Sequence, residues 1–387
     1  MKEAAIRRLS VDVRPPYHPP VEIVERKGRG HPDTLCDQVA EWASRWLAES
    51  YLARTGRVQH HNVDKGLLVA GAVEVGFGGG RHLRPARLTI AGRAELQGWR
   101  IEREELLRGM RSELARLLPD ASTDAFTVDL HVDSPSEQLA PLTAVSEQRV
   151  PLANDTSFAV VSLPRSPLEN AVHALTEQLN GAELRRTVPV GPDVKVMGSR
   201  QGNRVRITVA AAMLARRVTS TGEYRAAVEA VHDVASTIVD ERFGSTASVA
   251  VNHASSRSPY LTLSGSSAEA GDDGQVGRGN RFGGLITPCR PMSMEACAGK
   301  NPVSHVGKTY HCVAHDIARR LLAEADAVEA TVGLLSRIGD PVTRPALVQV
   351  ETARPTDQAL VRAIVEESLA DWAGIRDRLL TGSYELF

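Results

Sequence analysis

Apolar residues recur at three- and four-residue spacing over six stretches of the chain, the pattern of helices that bury one face. The first runs over 33–54, with Leu35, Val39, Trp42, Trp46 and Leu47 on one side. The second, 103–118, carries Leu106, Leu107, Met110, Leu114 and Leu117, and the third, 166–179, carries Leu168, Val172, Leu175 and Leu179. A fourth covers 223–242 with Tyr224, Val228, Val231, Val234 and Ile238, and a fifth covers 311–325. The sixth spans 356–381 with Leu360, Ile364, Leu369, Trp372 and Ile375, and Gly382 stands where a glycine just past a helix end is expected. Between them, strands are predicted at 66–75, 87–92, 125–132, 156–162, 204–213, 246–252, 260–264, 328–335 and 346–351. Strands gather in groups with about two helices per third of the chain. That predicts an α+β fold of three similar sheet-plus-helix domains. Turn-rich stretches put approximate boundaries at 1–145, 146–255 and 256–387, with the chain interleaved between units; no sequence repeat proves internal symmetry.

Composition narrows the class without deciding it. The chain has 387 residues, 42% hydrophobic and 24% charged, as expected for a globular protein with real cores. A net charge of −1 excludes a global basic field, so neither nucleic acid nor an anionic membrane surface is expected as a partner. Any anionic ligand must meet a local cluster of cations. Four scattered cysteines form no CxxC pair and no disulfide framework. The opening MKEAAIRRLS has no apolar core of a secretory signal, and no run of 18 apolar residues spans a membrane. A cytoplasmic location is expected. Prolines 15, 16, 19 and 20 predict an extended entry segment.

Four segments carry candidate chemistry. In Glu25–Asp37, Gly28 and Gly30 permit a tight loop, and Pro32 and Asp33 begin a helix whose first N–H groups favour anions. His31 and Asp33 therefore sit at a natural phosphate and metal position; the blander reading is a helix cap with a packed histidine. Residues 265–284 hold Glu269, Asp272, Asp273, Arg278 and Arg281 among seven glycines, too many charges of both signs for a flexible linker. The acids suit a metal or an ammonium group, the arginines a phosphate clamp, and a solvated loop is the alternative. Over 287–308, Arg290, Lys300, His305 and Lys308 alternate with glycine and proline, which a solvated helix face would not do; a polyphosphate site is the sharper reading. Asp193 and Lys195, two apart on an extended stretch, share one face, as a simple surface pair would too. Walker A, GxSxG and HExxH motifs are all missing. The set suits stabilisation of a polyphosphate leaving group better than activation of a protein nucleophile.

These motifs resemble the archaeal-type methionine adenosyltransferases. The resemblance rests on GHPD at 30–33, HHN-D at 60–64, FGGG at 77–80, PLANDTSF at 151–158 and D-KVMG at 193–198. It continues through GSSAEAGDDGQVGRGNR at 265–281 and GLITPCRPMSMEACAGKNPVSHVGK at 284–308, in order from about residue 21 to Phe387. It implies three similar α+β domains in an obligate homodimer, extendable to a tetramer, with active sites shared between subunits. It implies Mg²⁺ and K⁺ as cofactors, and ATP and L-methionine as substrates of a reaction in which sulfur attacks C5′ and expels triphosphate for hydrolysis. By the family pattern His31 aids triphosphate departure, Asp33 holds Mg²⁺ with Asp273 as a second acid, and Glu25 lies on the ATP or metal side. Lys195, Arg278, Arg281, Lys300 and Lys308 contact phosphates, so that His31, Lys195, Arg278 and Lys300 form the catalytic set. Asp193 holds the nucleoside, while Asp272 and the position of Gln138 belong to methionine. The sequence departs from the pattern at Pro135 and Gln138, at Asn252–Ser255 and at Leu67, and these departures bear on the sulfur substrate more than on ATP. A homologue specialised for a methionine analogue, a silent paralogue subunit and an unrelated ATP-cleaving phosphotransferase are the competing readings.

Overall fold

A computed structural model describes residues 6, 8–96, 101–134, 150–253 and 258–387. Strands β1 (Leu9–Val13) and β2 (Val21–Lys27) precede helix α1 (Pro32–Thr55), followed by β3 (His61–Val69), β4 (Ala72–Gly76), β5 (Gly79–Arg84) and β6 (Ala86–Ala94). Next come α2 (Arg103–Leu117), β7 (Phe126–Asp133), β8 (Phe158–Leu163), α3 (Pro167–Asn180) and α4 (Ala182–Thr187). Then β9 (Val190–Gln201) and β10 (Arg204–Leu214) form a long hairpin, and α5 (Thr221–Phe243), β11 (Ala247–Val251), β12 (Leu261–Thr262) and β13 (Gly274–Gln275) follow. The chain ends with α6 (Val306–Glu324), β14 (Ala330–Leu335), β15 (Leu347–Thr352), α7 (Gln358–Ala370) and α8 (Trp372–Leu380).

Three α+β layers result. One sheet, ordered β13-β3-β6-β7, packs on α1 and α2. A second, β11-β10-β9-β2, packs on α3 and α5, and a third, β1-β15-β14-β8, packs on α6, α7 and α8. The first 145 residues supply strands to all three sheets, an interleaving that contiguous cuts at 145 and 255 do not capture. Among the described residues, no helix is long and apolar enough to cross a membrane.

Two differences from the sequence reading have physical causes. The stretch 356–381 is two helices, because Asp371 leaves the helical region at φ −84 and ψ 31, where it ends α7 and starts α8. Strand β2 goes unrecognised in VEIVERK because its alternation is inverted. Glu22 and Arg26 face inward at 1% and 6% exposure, while Val21 and Ile23 face outward at 45% and 38%. The buried charges are paired, as burial demands. Ser166 Oγ donates to Glu22 at 2.5 Å and Arg200 Nε at 3.1 Å. Arg26 donates to Glu177 at 2.6 Å and to Glu385 at 2.8 Å.

Glu385 ties the C-terminus to this strand. Its carboxylate also accepts from His173 Nε2 at 2.7 Å and Arg165 at 2.5 Å, and its carbonyl accepts from Gly283 N. The last residues thus bind the second layer and the turn after Arg281. Burial alone would raise the Glu385 carboxyl. The His173 hydrogen bond and the charges of Arg26 and Arg165 outweigh it and bring it from an ordinary 4.5 to about 2. A carboxyl held below its unfolded value stabilises the fold above the unfolded value and stops doing so as pH falls through the folded one. Glu385→Gln is therefore expected to destabilise the protein by about 1–3 kcal/mol at pH 7. Denaturant midpoints should show the gap to wild type narrowing below pH 4.5 and closing towards about 2. An unchanged midpoint at pH 7 would show the tie to be idle.

Candidate active site

The site begins as a pairing of strands. β2 runs antiparallel to β9 with Lys27 directly opposite Lys195 and Glu25 opposite Met197. Like charges opposite each other on a ladder repel. Carboxylates compensate here: Glu25 Oε1 lies 3.3 Å from Lys195 Nζ and 3.7 Å from Lys27 Nζ. Lys27 Nζ also donates to Asp33 Oδ2 at 2.9 Å and to the Arg278 carbonyl at 2.7 Å.

The loop from β2 to α1 lies flat on β9. Gly28 N donates to Val194 O at 2.6 Å and Gly30 N to Pro192 O at 2.9 Å. A Cβ at Gly28 would stand 2.8 Å from Val194 O, and one at Gly30 would stand 2.7 Å from Asp193 N. Glycine is thus required at both positions by close backbone approach. The loop delivers His31 as the N-cap of α1, its Nδ1 accepting from Asp33 N at 3.2 Å. Since Nδ1 accepts, the neutral ring carries its proton on Nε2, which lies 3.8 Å from Asp272. Burial, then the charge of Lys27, lowers the imidazole from 6.5 to about 4, against the opposing pull of Asp33. The helix-cap reading is therefore correct for His31, and a cap with its second nitrogen turned to Asp272 is also a donor facing the site.

Residues 265–281 wrap the start of α1. Glu269 folds the turn, accepting from Leu263 N and Ser264 N, both at 2.7 Å. Ser266 Oγ donates to Gly30 O at 2.6 Å. Ser267 donates to the buried Asp193 from both N and Oγ, at 2.7 and 2.5 Å. Burial raises the Asp193 carboxyl to about 6 against these hydrogen bonds. Gln275 N donates to Asp33 Oδ1 at 2.9 Å and Gly277 N to Asp37 Oδ1 at 2.9 Å. Side chains are excluded where this segment crosses the helix: a Cβ at Gly274 would lie 2.3 Å from Pro32 O. So the segment is a fixed collar, not a solvated loop.

Glu25, His31, Asp33, Asp193, Lys195 and Asp272 therefore converge with Lys27, and Arg278 joins through its carbonyl while its side chain is exposed. The remaining candidates lie elsewhere. Lys300 is buried between Glu295 at 2.5 Å and Asp64 at 3.5 Å. It lines a cavity of about 510 Å³ with Asp64, Gln275 and Gly277. Lys308 is fully buried and donates to both oxygens of Glu41, at 2.9 and 2.6 Å. Breaking such a pair costs about 3–5 kcal/mol, so Lys308 is a tie between α6 and α1 rather than a group free to meet phosphate. Arg281 donates to Gly277 O and lines a different cavity, of about 530 Å³, with Phe282 and His311. Asp273 accepts from Ala70 N at 2.7 Å, which orients it as a backbone cap. Gln138 lies outside the described residues.

The sequence reading missed Lys27, Ser267, Asp37 and Glu41. Lys27 stood inside the first motif; only the β2–β9 register, which no local pattern reveals, sets it against Lys195. Asp37, raised to about 7 by burial, repeats the spacing of one helix turn after Asp33 and was the more legible of the two acids.

For a metal, Asp33 and Glu25 are the acids beside Lys27, whereas Asp193 is held by Ser267 and Asp272 faces His31. Among the described residues, no three His, Cys, Asp or Glu side chains group as a metal cage. Two oxygen donors without thiolates suit a hard cation that takes its other ligands from phosphate and water, as Mg²⁺ does. The residues fit Mg²⁺ on that condition.

The model of the S-adenosylmethionine synthetase (AdoMet synthetase) family matches residues 5–383. The chain is 40% identical over 400 residues to the S-adenosylmethionine synthase of Haloquadratum walsbyi, covering 100% of this chain and 98% of the relative. It is 41% identical over 384 residues to that of Natronomonas pharaonis, with 95% of each chain covered. A probable S-adenosylmethionine synthase of Aquifex aeolicus is 41% identical over 387 residues, covering 95% of this chain and 96% of the relative. Among solved structures, an unusual S-adenosylmethionine synthetase from Campylobacter jejuni superposes with a TM-score of 0.61 at 14% identity, covering 92% of this chain and 88% of that one. This likeness supports the fold of three sheet-and-helix layers.

The environment of His31 sets its protonation. The ring should be neutral throughout the range pH 6–8 and reach half-protonation only near pH 4. NMR of ¹⁵N-histidine-labelled protein, with His31→Gln used for assignment, should show no His31 titration above pH 5. A midpoint near 6.5 would contradict the buried, cation-flanked setting.

Proposed function

The chain belongs to the S-adenosylmethionine synthetase family, whose enzymes are methionine adenosyltransferases, and on that premise we propose how its residues serve the reaction. ATP and L-methionine are the substrates. A sulfur lone pair attacks C5′ and forms the sulfur–carbon bond, while the C5′–oxygen pair leaves with the triphosphate. Water then splits the triphosphate into phosphate and diphosphate. A thioether has no proton to lose, so the sulfur needs no general base, and the charge to be met is on the leaving group, about −4 in all.

The observation that carries this reading is the convergence of Lys195, Lys27 and the His31 Nε2–H on one patch of β9, β2 and the start of α1. Lys195 offers an ammonium that is 40% exposed to a phosphate oxygen. His31 donates from Nε2 as charge grows on the departing oxygen, and being neutral it needs no proton exchange with solvent to do so. Asp193, held by Ser267, accepts from a nucleoside hydroxyl, and Asp272 receives the methionine ammonium. Arg278 reaches phosphate from the collar. Asp33, with Glu25 beside it, would hold Mg²⁺, which would supply further positive charge against the triphosphate. K⁺, the second cation that the resemblance implies, is given no ligands among these residues and no step is routed through it.

Lys300 enters through a second copy of the chain. Its cluster with Asp64 and Glu295 borders another cavity, beyond the collar, and outward apolar residues on two sheets favour a covering partner. These are Val21 and Ile23 on β2 and Leu67 and Val69 on β3, between 38% and 49% exposed. A homodimer with shared sites, as the resemblance implies, buries such faces and completes each site from both chains.

Incubation with ATP and a panel of thioether amino acids, read by mass spectrometry, should give the sulfonium product with L-methionine. A product from a methionine analogue alone would favour a specialised homologue, and ADP without sulfonium would refute the transfer. His31→Ala should lower the rate by about 10²–10³ with ATP affinity little changed, since the lost donor acts on the transition state. Native mass spectrometry at micromolar concentration should give twice the mass of one chain. A fully active monomer would overturn the shared site.

A further inference from the structure

Lys27 holds a place that no other cation of the site holds. Its ammonium sits 2.9 Å from Asp33 Oδ2 and 2.7 Å from the Arg278 carbonyl, and its side chain is only 12% exposed. The other Asp33 oxygen accepts from Gln275 N at 2.9 Å. The oxygen without a backbone donor is therefore the one that the ammonium occupies. Two cations crowded on one carboxylate oxygen repel each other, so a metal that takes Asp33 must move Lys27.

An ammonium displaced from Asp33 has poor places to go. Lys195 stands directly across the ladder. Glu25 Oε1, the neighbouring carboxylate oxygen, is already shared with Lys195 at 3.3 Å. The Lys27 backbone is pinned as well, its N and O bonded to Asn280 at 2.9 Å each. A bare divalent ion would thus leave two ammoniums against one carboxylate. A divalent ion that arrives with a polyphosphate brings the anionic oxygens that both lysines then lack.

We propose that Lys27 is a built-in placeholder cation. It neutralises Asp33 before ligands bind and yields that carboxylate to a divalent metal only when the metal comes with a nucleotide triphosphate, whose oxygens take over the ammonium. Metal and nucleotide binding are then coupled, and by linkage each strengthens the other equally. The inference rests on the reading of Asp33 as the metal-facing acid. It makes Lys27 a positioning residue that guards against occupation by metal alone.

The test is Mn²⁺ binding to the nucleotide-free full-length protein, followed by electron paramagnetic resonance of free Mn²⁺. Wild type should bind Mn²⁺ weakly at this site. Lys27→Met should bind it at least about tenfold more tightly, within the usual span of such couplings, and Lys27→Arg should stay as weak as wild type. Adding Asp33→Asn to Lys27→Met should abolish the gain. Lys27→Gln, which keeps a hydrogen-bond donor without the charge, replaces the Met variant if circular dichroism shows that variant unfolded. Equal affinity in wild type and the neutral variant overturns the placeholder, as does a gain that survives Asp33→Asn. Sulfonium formation by wild type is measured separately. Its absence would sink the transferase reading alone, whereas product with no Mn²⁺ gain would sink only the role of Lys27.

Discussion

The register of β2 against β9 is the constraint from which the site follows. It fixes Lys27 opposite Lys195, and two ammoniums so placed are tolerable only with acids among them. Glu25 supplies one from the same strand and Asp33 the other from the first turn of α1. The helix start can reach that position because Gly28 and Gly30 lie against the β9 backbone, where no side chain fits. His31, the collar of residues 265–281 and the buried Asp193 are each hydrogen-bonded to this frame. A one-residue slip of β2 would turn Lys27 to the other face and leave Asp33 without its ammonium.

Much of this was legible in the sequence where one element decides the outcome. The helices at 33–54, 103–118 and 223–242 lie within two residues of Pro32–Thr55, Arg103–Leu117 and Thr221–Phe243, because their apolar spacing reports directly which face is buried. The glycines of GxGHPD and the acids of the collar were also readable as a constrained site. What remained hidden depends on pairing between distant segments. Strand β2 hid because its charged residues face inward to partners on other elements, Arg200 and Ser166 for Glu22, Glu177 and Glu385 for Arg26. Lys308 read as a phosphate ligand because a cation beside glycine, histidine and lysine looks reactive; its fate was set by Glu41, 267 residues away.

The two clusters that one chain presents have different characters. Around Lys195 the groups are partly open, with Lys195 and Asp272 at 40% and 58% side-chain exposure. Around Lys300 they are closed, with the ammonium held by Glu295 and by the Ala296 carbonyl, each at 2.5 Å. A triphosphate spans more than one such patch, and its charge is met best where cations approach from two sides in a water-poor cleft. On the proposed reading, the open cluster of one chain faces the Lys300 cluster of its partner.

Subunit complementation tests that claim most directly. Lys195→Met and Lys300→Met chains carrying different affinity tags are co-expressed, and the mixed dimer is isolated and assayed for sulfonium formation. Each parent homodimer should be inactive. If sites are shared, the mixed dimer holds one site with both lysines intact and one with neither, so it should recover about half of the wild-type rate. A mixed dimer as inactive as its parents would place both lysines in a single-chain site and contradict the account.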